Sequence, residues 1–280
     1  ILPAQSAFRL IIKLSGAGRS IQAGEYAFAP SNPLFLIIWK LTRGKVIPER
    51  QVRVTFPEGA SIYRMSIILK DKGYQNWKNF RELVSEGITA GLRERHFGIF
   101  KYISSESLEG YLFPDTYLIY PGTSAEVLAE VMVEHFEEKV LPLWKEAKGR
   151  TKLSLHEILT MASIVEKEAR MAVERPIIAS VFFNRLKMGM PLAADPTIKY
   201  ALERPTKVVY FDQLKIDSPY NTYKRRGLPP GPICNPGIES IKAAIYPAKT
   251  DYLFFVAKKD GSHIFSRNWR EHQRARNLSK

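Results

Sequence analysis

Residues 154–169, SLHEILTMASIVEKEA, constrain this chain more than any other stretch. Ser154 followed three positions later by Glu157 is a capping box, in which each side chain answers the other's unpaired backbone N–H. Leu155, Ile158, Leu159, Ala162 and Val165 recur at helical spacing, so the segment predicts a helix with one face in a core. The end of that helix is unusual. Glu166 and Glu168 close it around Lys167, at the end where the helix dipole favours cations. At about 100° per residue, Glu166 falls inside the apolar stripe and Glu168 on its flank, beside Met161, Ile164 and Val165. A carboxyl half-sunk in an apolar face has a raised pKa, and one that stays protonated can act as a general acid. Taken alone, the simpler reading is an end-of-helix salt bridge to a nearby cation.

A chain of 280 residues is long enough for two domains, or for one large domain with an appendage. Its net charge of +14 predicts attraction to polyanions: nucleic acid, anionic lipid or anionic wall polymers. Cys234 is the only cysteine, which excludes an intrachain disulfide and a cysteine metal cluster. His96, His135, His156, His263 and His272 show no metal-ligand spacing, so no metal site is expected. No P-loop, GxGxxG or GxSxG motif occurs, and no recognisable nucleic-acid module.

The opening ILPAQSAFRLIIKL is broken by Arg9 and Lys13 and is too short to span a bilayer. The chain starts at Ile1 rather than at a methionine, so a membrane anchor, if there is one, is expected upstream. Ser20 to Tyr26 reads as a turn into a short strand, and Leu34 to Leu41 as an apolar helix. Val52 to Phe56 alternates with the period of a strand, and helices are expected from Ser61 to about Lys70 and from Asn76 to about Ser85. The basic, aromatic stretch from Ala90 to Ser107 reads as a linker. Further helices are expected from Ser124 to about Val140, from Glu174 to about Met188 and from Ile238 to Ala244. A loop-rich tract runs from Met190 to Pro236. Strands Tyr252 to Ala257 and His263 to Ser266 flank a turn at 259–261, and a basic helix ends the chain. The pattern is α+β, with a small mixed N-terminal unit (1–50), which the resemblance given below makes a membrane-proximal segment, a small α/β module and linker (51–100) and a larger domain (101–280).

Three further constellations could carry chemistry. Glu109, Tyr111, Asp115 and Tyr117, in EGYLFPDTY, could line a groove in which aromatic faces stack on sugar rings; the alternative is a packed hairpin with surface acids. Asp195, in MPLAADPT, is placed to cap a helix starting at Thr197, which would itself account for it. Tyr220, Asn221 and Tyr223, fixed by the prolines of 218–232, offer neutral donors and acceptors suited to hydroxyl and N-acetyl groups. The alternative there is a surface loop, although long loops without secondary structure are often functional.

EGYLFPDTY, ASIVEKEA, VFFNRLKMGMPLAADPT, SPYNTYKRRGLPPGPICNPG and PAKTDYLFFVAKKDGSHIFS occur in that order. Together they closely resemble the YceG-like (MltG) family of membrane-anchored endolytic murein transglycosylases. The resemblance spans essentially the whole chain and is strongest from Leu108 to Arg274. It implies a LysM-like module over 52–85, followed by a lysozyme-like or YceG-like catalytic domain. It also implies cleavage of the MurNAc-β-1,4-GlcNAc bond inside peptidoglycan glycan strands, leaving 1,6-anhydro-MurNAc ends, with no metal or organic cofactor. The implied setting is the bacterial cell envelope, anchored in the cytoplasmic membrane with the catalytic domain outside the cytoplasm. Peptidoglycan synthases are the implied protein partners, and nucleic acid is not one.

Carried over by position, the single catalytic glutamate is one of the EKE pair. The helix-end placement seen in lysozyme-like transglycosylases selects Glu168 over Glu166, with Ala169 standing where those enzymes carry a hydroxyl residue. The substrate-binding positions implied are Glu109, Tyr111, Asp115, Tyr117, Asn184, Asp195, Thr197, Tyr220, Asn221 and Tyr223. A non-catalytic peptidoglycan-binding protein and a basic nucleic-acid-binding protein are the rival expectations.

Overall fold

In the computed structural model the capping box forms as the sequence requires. Ser154 Oγ accepts the Glu157 N–H at 3.2 Å, and the Glu157 carboxylate accepts the Ser154 N–H at 2.7 Å. The structure describes residues 12–13, 16–24, 26, 28, 32–44, 51–103, 105–120, 122–203 and 208–279. They fall into two units, residues 1–51 and 52–280. Most of the apolar opening stretch lies outside the described residues.

In the first unit a 3₁₀ turn, Ala17–Arg19, precedes helix α1, Leu34–Thr42. The strand expected after Ser20 is not formed among the described residues. The Gln22 N–H instead donates to the Leu41 carbonyl at 3.1 Å, tying the segment to the helix end.

The second unit begins with strand β1, Val52–Thr55, followed by helices α2, Ile62–Asp71, and α3, Trp77–Glu86. Helices α4, Ala90–Arg95, and α5, Phe97–Phe100, replace the expected linker. Leu92, Ile99 and Phe100 turn inward from them, so the stretch belongs to the core. Strand β2, Thr116–Ile119, then returns antiparallel to β1, with Val52 opposite Ile119 and Thr55 opposite Thr116. This pairing carries the strand–helix–helix unit past residue 100, where the larger domain was expected to begin. A strand partner more than sixty residues away leaves no local signal in the sequence.

Helix α6 runs from Ala125 to Ala147 and continues through Pro142, beyond the end expected near Val140. Proline removes one backbone donor, but buried Trp144 and Ala147 hold the last turns against the core. Helix α7, Leu155–Glu168, is the central element, with Leu155, Leu159, Ala162 and Val165 fully buried. Around it pack α8, Arg175–Lys187, α9, Asp195–Ala201, and α10, Ile238–Ile245. A second ribbon pairs β3, Phe254–Ala257, with β4, His263–Ser266, and helix α11, Trp269–Leu278, covers it. Among the described residues the fold is therefore α+β, predominantly helical, with two small antiparallel ribbons.

Candidate active site

The two glutamates at the end of α7 have different surroundings. The Glu166 side chain is 8% exposed and fully engaged. It accepts the Gly237 N–H, at the start of α10, at 3.1 Å and pairs with the Arg175 guanidinium at 3.4 Å. Glu58 also approaches Arg175, at 3.9 Å. A carboxylate placed this way closes a helix N-terminus and an ion pair together.

Glu168 is half-buried and forms no hydrogen bond or ion pair with any described residue. Burial pushes its carboxyl up to about 7, and Asp195 adds to the rise, while Lys199 and Arg185 oppose it. Three elements supply these charges: Asp195 and Lys199 lie one turn apart on α9, and Arg185 on α8. Tyr223 bears on the same group from the 218–225 turn, and its hydroxyl donates to Asp195 Oδ1. A carboxyl near neutrality, free of structural bonds and flanked by fixed charges, can both give and take a proton.

The backbone around the site is set by Thr222. Its carbonyl accepts the Ala193 N–H and its hydroxyl the Ala194 N–H, both at 3.0 Å. Ala193 is held at φ 48°, a left-handed conformation that a residue with a Cβ adopts only under constraint. Asp195 does not cap a helix starting at Thr197. It is the first residue of α9 itself, the N-cap is Ala194 without a side-chain cap, and the Asp195 carboxylate is used by Tyr223 instead. Thr197 is buried, with its hydroxyl on the Ala194 carbonyl at 2.8 Å and on Thr222 at 2.9 Å.

Asn221 is completely buried and spends its polar atoms on its own loop. Its amide donates to the Leu214 and Ile216 carbonyls at 3.0 and 2.8 Å, and its oxygen accepts the Tyr223 N–H at 3.0 Å. Tyr220 is half-buried, its ring 4.9 Å from that of Tyr200. Asn184 ties α8 to the strand region through the Thr250 and Tyr252 carbonyls, at 2.8 and 2.9 Å.

The 109–117 segment is not gathered at Glu168. Glu109 is buried and accepts the Ile62 N–H on both oxygens at 3.1 Å and the Asn235 amide at 3.0 Å. Burial raises its carboxyl to about 8, against the Ile62 N–H, the Tyr200 hydroxyl and the Lys167 charge. Tyr111 is 0% exposed, with its hydroxyl 2.7 Å from His156 Nδ1. His156 Nε2 lies 2.8 Å from the Pro230 carbonyl, so Nε2 carries the proton and Nδ1 accepts from the tyrosine. Tyr117 is buried, donating to the Phe113 carbonyl at 2.7 Å, and exposed Asp115 accepts the Thr116 N–H at 2.6 Å. The aromatic rings expected to face a sugar are thus packing groups at Tyr111 and Tyr117.

Sequence reasoning missed Arg185, Lys199 and Asn235. Arg185 and Lys199 are two cations among 42, and nothing local marks them out. Asn235, in CNPG, joins the Gly110 and Leu112 N–H groups, at 2.9 and 3.0 Å, to the Ala60 carbonyl, at 3.0 Å.

Comparison with known proteins gives a consistent result. The YceG-like family model matches residues 1–278. A Bacillus subtilis (strain 168) protein named endolytic murein transglycosylase is 38% identical over 283 residues, covering 99% of this chain and 78% of its own length. A Streptococcus pneumoniae serotype 2 protein of the same name is 38% identical over 173 residues, covering 60% of this chain and 31% of its own length. The crystal structure of a yceG-like protein from Listeria monocytogenes is similar with a TM-score of 0.72 at 35% identity, covering 96% of this chain and 89% of that one.

Proposed function

The chain belongs to the YceG-like family, and from that premise we propose that it is an endolytic murein transglycosylase with Glu168 as its single acid–base residue. The observation that carries the assignment to Glu168 is the contrast at the end of α7. Glu166 is consumed by Gly237 and Arg175, whereas Glu168 has a carboxyl near 7 and no competing bond among the described residues.

In this reading protonated Glu168 gives its proton to the glycosidic oxygen, and the bond from that oxygen to MurNAc C1 breaks. The substrate's own N-acetyl group relieves the positive charge at C1. Glu168, now a carboxylate, takes the proton of the MurNAc C6 hydroxyl as that oxygen bonds to C1 and closes the 1,6-anhydro ring. No water is consumed, so no second carboxylate is needed, unlike hydrolysis. Asp195 keeps Glu168 protonated before the first transfer, since a like charge disfavours ionisation. Lys199 and Arg185 stabilise the carboxylate between the two transfers. Tyr223 and the 190–197 loop would contact the sugar, with Asn221, Thr197 and Asn184 holding that surface in place.

Residues 52–119 are read as a LysM-like glycan-binding module, which the strand–helix–helix–strand order and the β1–β2 pairing support. The proposed setting is the outer face of the cytoplasmic membrane, through an upstream anchor, alongside peptidoglycan synthases. No helix among the described residues is long and apolar enough to cross a membrane. The net charge of +14 suits work between anionic lipid and anionic wall polymers.

Incubation with purified peptidoglycan and mass spectrometry of the products tests the proposal. Internal cleavage with 1,6-anhydro ends is expected. Reducing ends would instead indicate hydrolysis with Asp195, the carboxylate facing Glu168, activating water. Binding without cleavage would indicate a non-catalytic wall-binding protein.

A further inference from the structure

Between the end of α7 and the start of α8 the chain exposes three apolar residues in a row, Met171, Ala172 and Val173. Met171 is 42% exposed and Val173 77%. Single exposed apolar residues need no explanation, but a consecutive run contributes nothing to the core and calls for one.

The run is fixed at both ends. It enters a 3₁₀ turn, Ala172–Glu174, in which the Glu174 N–H donates to the Met171 carbonyl at 3.1 Å. Glu174 is buried and held twice by β4: Oε1 accepts the His263 N–H at 2.9 Å, and Oε2 lies 2.7 Å from His263 Nδ1. Arg175, the next residue, donates to Ser240 Oγ at 2.9 Å and pairs with Glu166. On the other side the Ala169 N–H closes α7 on the Val165 carbonyl at 2.8 Å. The stem of Arg170 lies over Gly261 in the β3–β4 turn, where an added Cβ would stand 3.9 Å from Arg170 Cβ and Cδ. Arg170 is itself exposed and forms no hydrogen bond or ion pair with any described residue. A cation and an apolar turn are therefore presented to solvent on a fixed backbone, which lowers the ordering cost of binding.

The position of this turn identifies its ligand. Val173 is five residues beyond Glu168, so at most about 18 Å of chain separates them. The sugar proposed to react at Glu168 is MurNAc, whose lactyl group carries a short peptide stem with alanine methyl groups and free carboxylates. The methyl groups suit Met171 and Val173, and a carboxylate suits the unpaired Arg170. The glycan backbone, covered in hydroxyls, matches this turn less well. We infer that Arg170, Met171 and Val173 form a subsite for the peptide stem next to the cleaved bond, so that the enzyme distinguishes stem-bearing from bare glycan. The inference rests on the proposed transglycosylase reaction at Glu168.

The test compares glycan strands that carry their stems with strands stripped of them by an amidase, using the full chain, M171S/V173S and R170A. The wild type is expected to favour stem-bearing strands about tenfold in kcat/KM, mainly through KM, and the double variant to bring that ratio close to one. R170A should lower the ratio severalfold. A purely structural role would lower Tm and leave the ratio in place. If the double variant does not fold, R170A decides the matter, because it keeps the apolar turn. A wild-type ratio near one, or an equal loss on both substrates in the variants, would overturn the inference while leaving the proposed activity standing. Calorimetric titration with muramyl dipeptide gives a second reading that needs no turnover, and the double variant should bind it about tenfold more weakly. Such binding by a wild type that releases no anhydro ends would overturn the activity alone. Neither binding nor release would overturn both.

Discussion

Glu166 and Glu168 end the same helix two residues apart, and only Glu166 is bonded: to the Gly237 N–H at 3.1 Å and to Arg175 at 3.4 Å. The helix turn separates a carboxylate that joins α7, α8 and α10 from one that faces Asp195 across the site. E166Q keeps the shape but loses the charge opposite Arg175. Urea denaturation should show a loss of about 1–3 kcal/mol, the range for leaving a buried charged partner poorly satisfied. Anhydro-end release per folded molecule should stay close to wild type.

Glu168, held at about 7, is protonated below that pH and ionised above it. Anhydro-end release should therefore fall as pH rises through about 7. D195N removes the like charge, so the limb should move to lower pH. K199M removes an opposing positive charge and should move it higher. Initial rates on purified peptidoglycan across pH 5 to 9 check both directions.

Glu109 titrates at about 8 in the folded chain against 4.5 for an unperturbed carboxyl. Between those values the folded state holds a proton that the unfolded state has released, so its contribution to stability is present below about 4.5 and lost as pH rises towards 8. E109Q cannot lose that proton. Its Tm should decline less steeply than that of wild type from pH 5 to 8, read by thermal unfolding at several pH values.

Y111F removes the donor to His156 Nδ1, leaving a buried ring nitrogen without its partner. The expected cost is about 1–3 kcal/mol of stability. Cleavage by the folded fraction should be unchanged, because Tyr111 belongs to the core and not to the glycan surface. A several-fold rise in KM with normal stability would return it to the groove.

Much of this architecture was legible in local sequence. The Ser154 capping box, the apolar stripe of α7 and the hairpin turn at 259–261 each depend on residues within a few positions of one another. Residue chemistry also identified the EKE pair as unusual, and family resemblance directed attention to Glu168. What stayed hidden depends on distant partners. The pairing of Val52 with Ile119 joins positions more than sixty residues apart. The burial of Tyr111 and Tyr117 follows from His156 and Phe113, and the commitment of Glu166 from Gly237 and Arg175. Aromatic residues next to acids suit both a sugar groove and a hydrogen-bonded core, and sequence spacing does not separate the two. Asn221 illustrates the same limit: an asparagine suited to binding an N-acetyl group is equally suited to holding two loop carbonyls.

Digestion of purified peptidoglycan by the wild type, E168Q and E166Q in parallel tests the central claim most directly. Mass spectrometry should find 1,6-anhydro-MurNAc ends from the wild type and from E166Q, and none from a folded E168Q. Full release by E168Q, with loss in a folded E166Q, would contradict the account and move the acid–base role to Glu166.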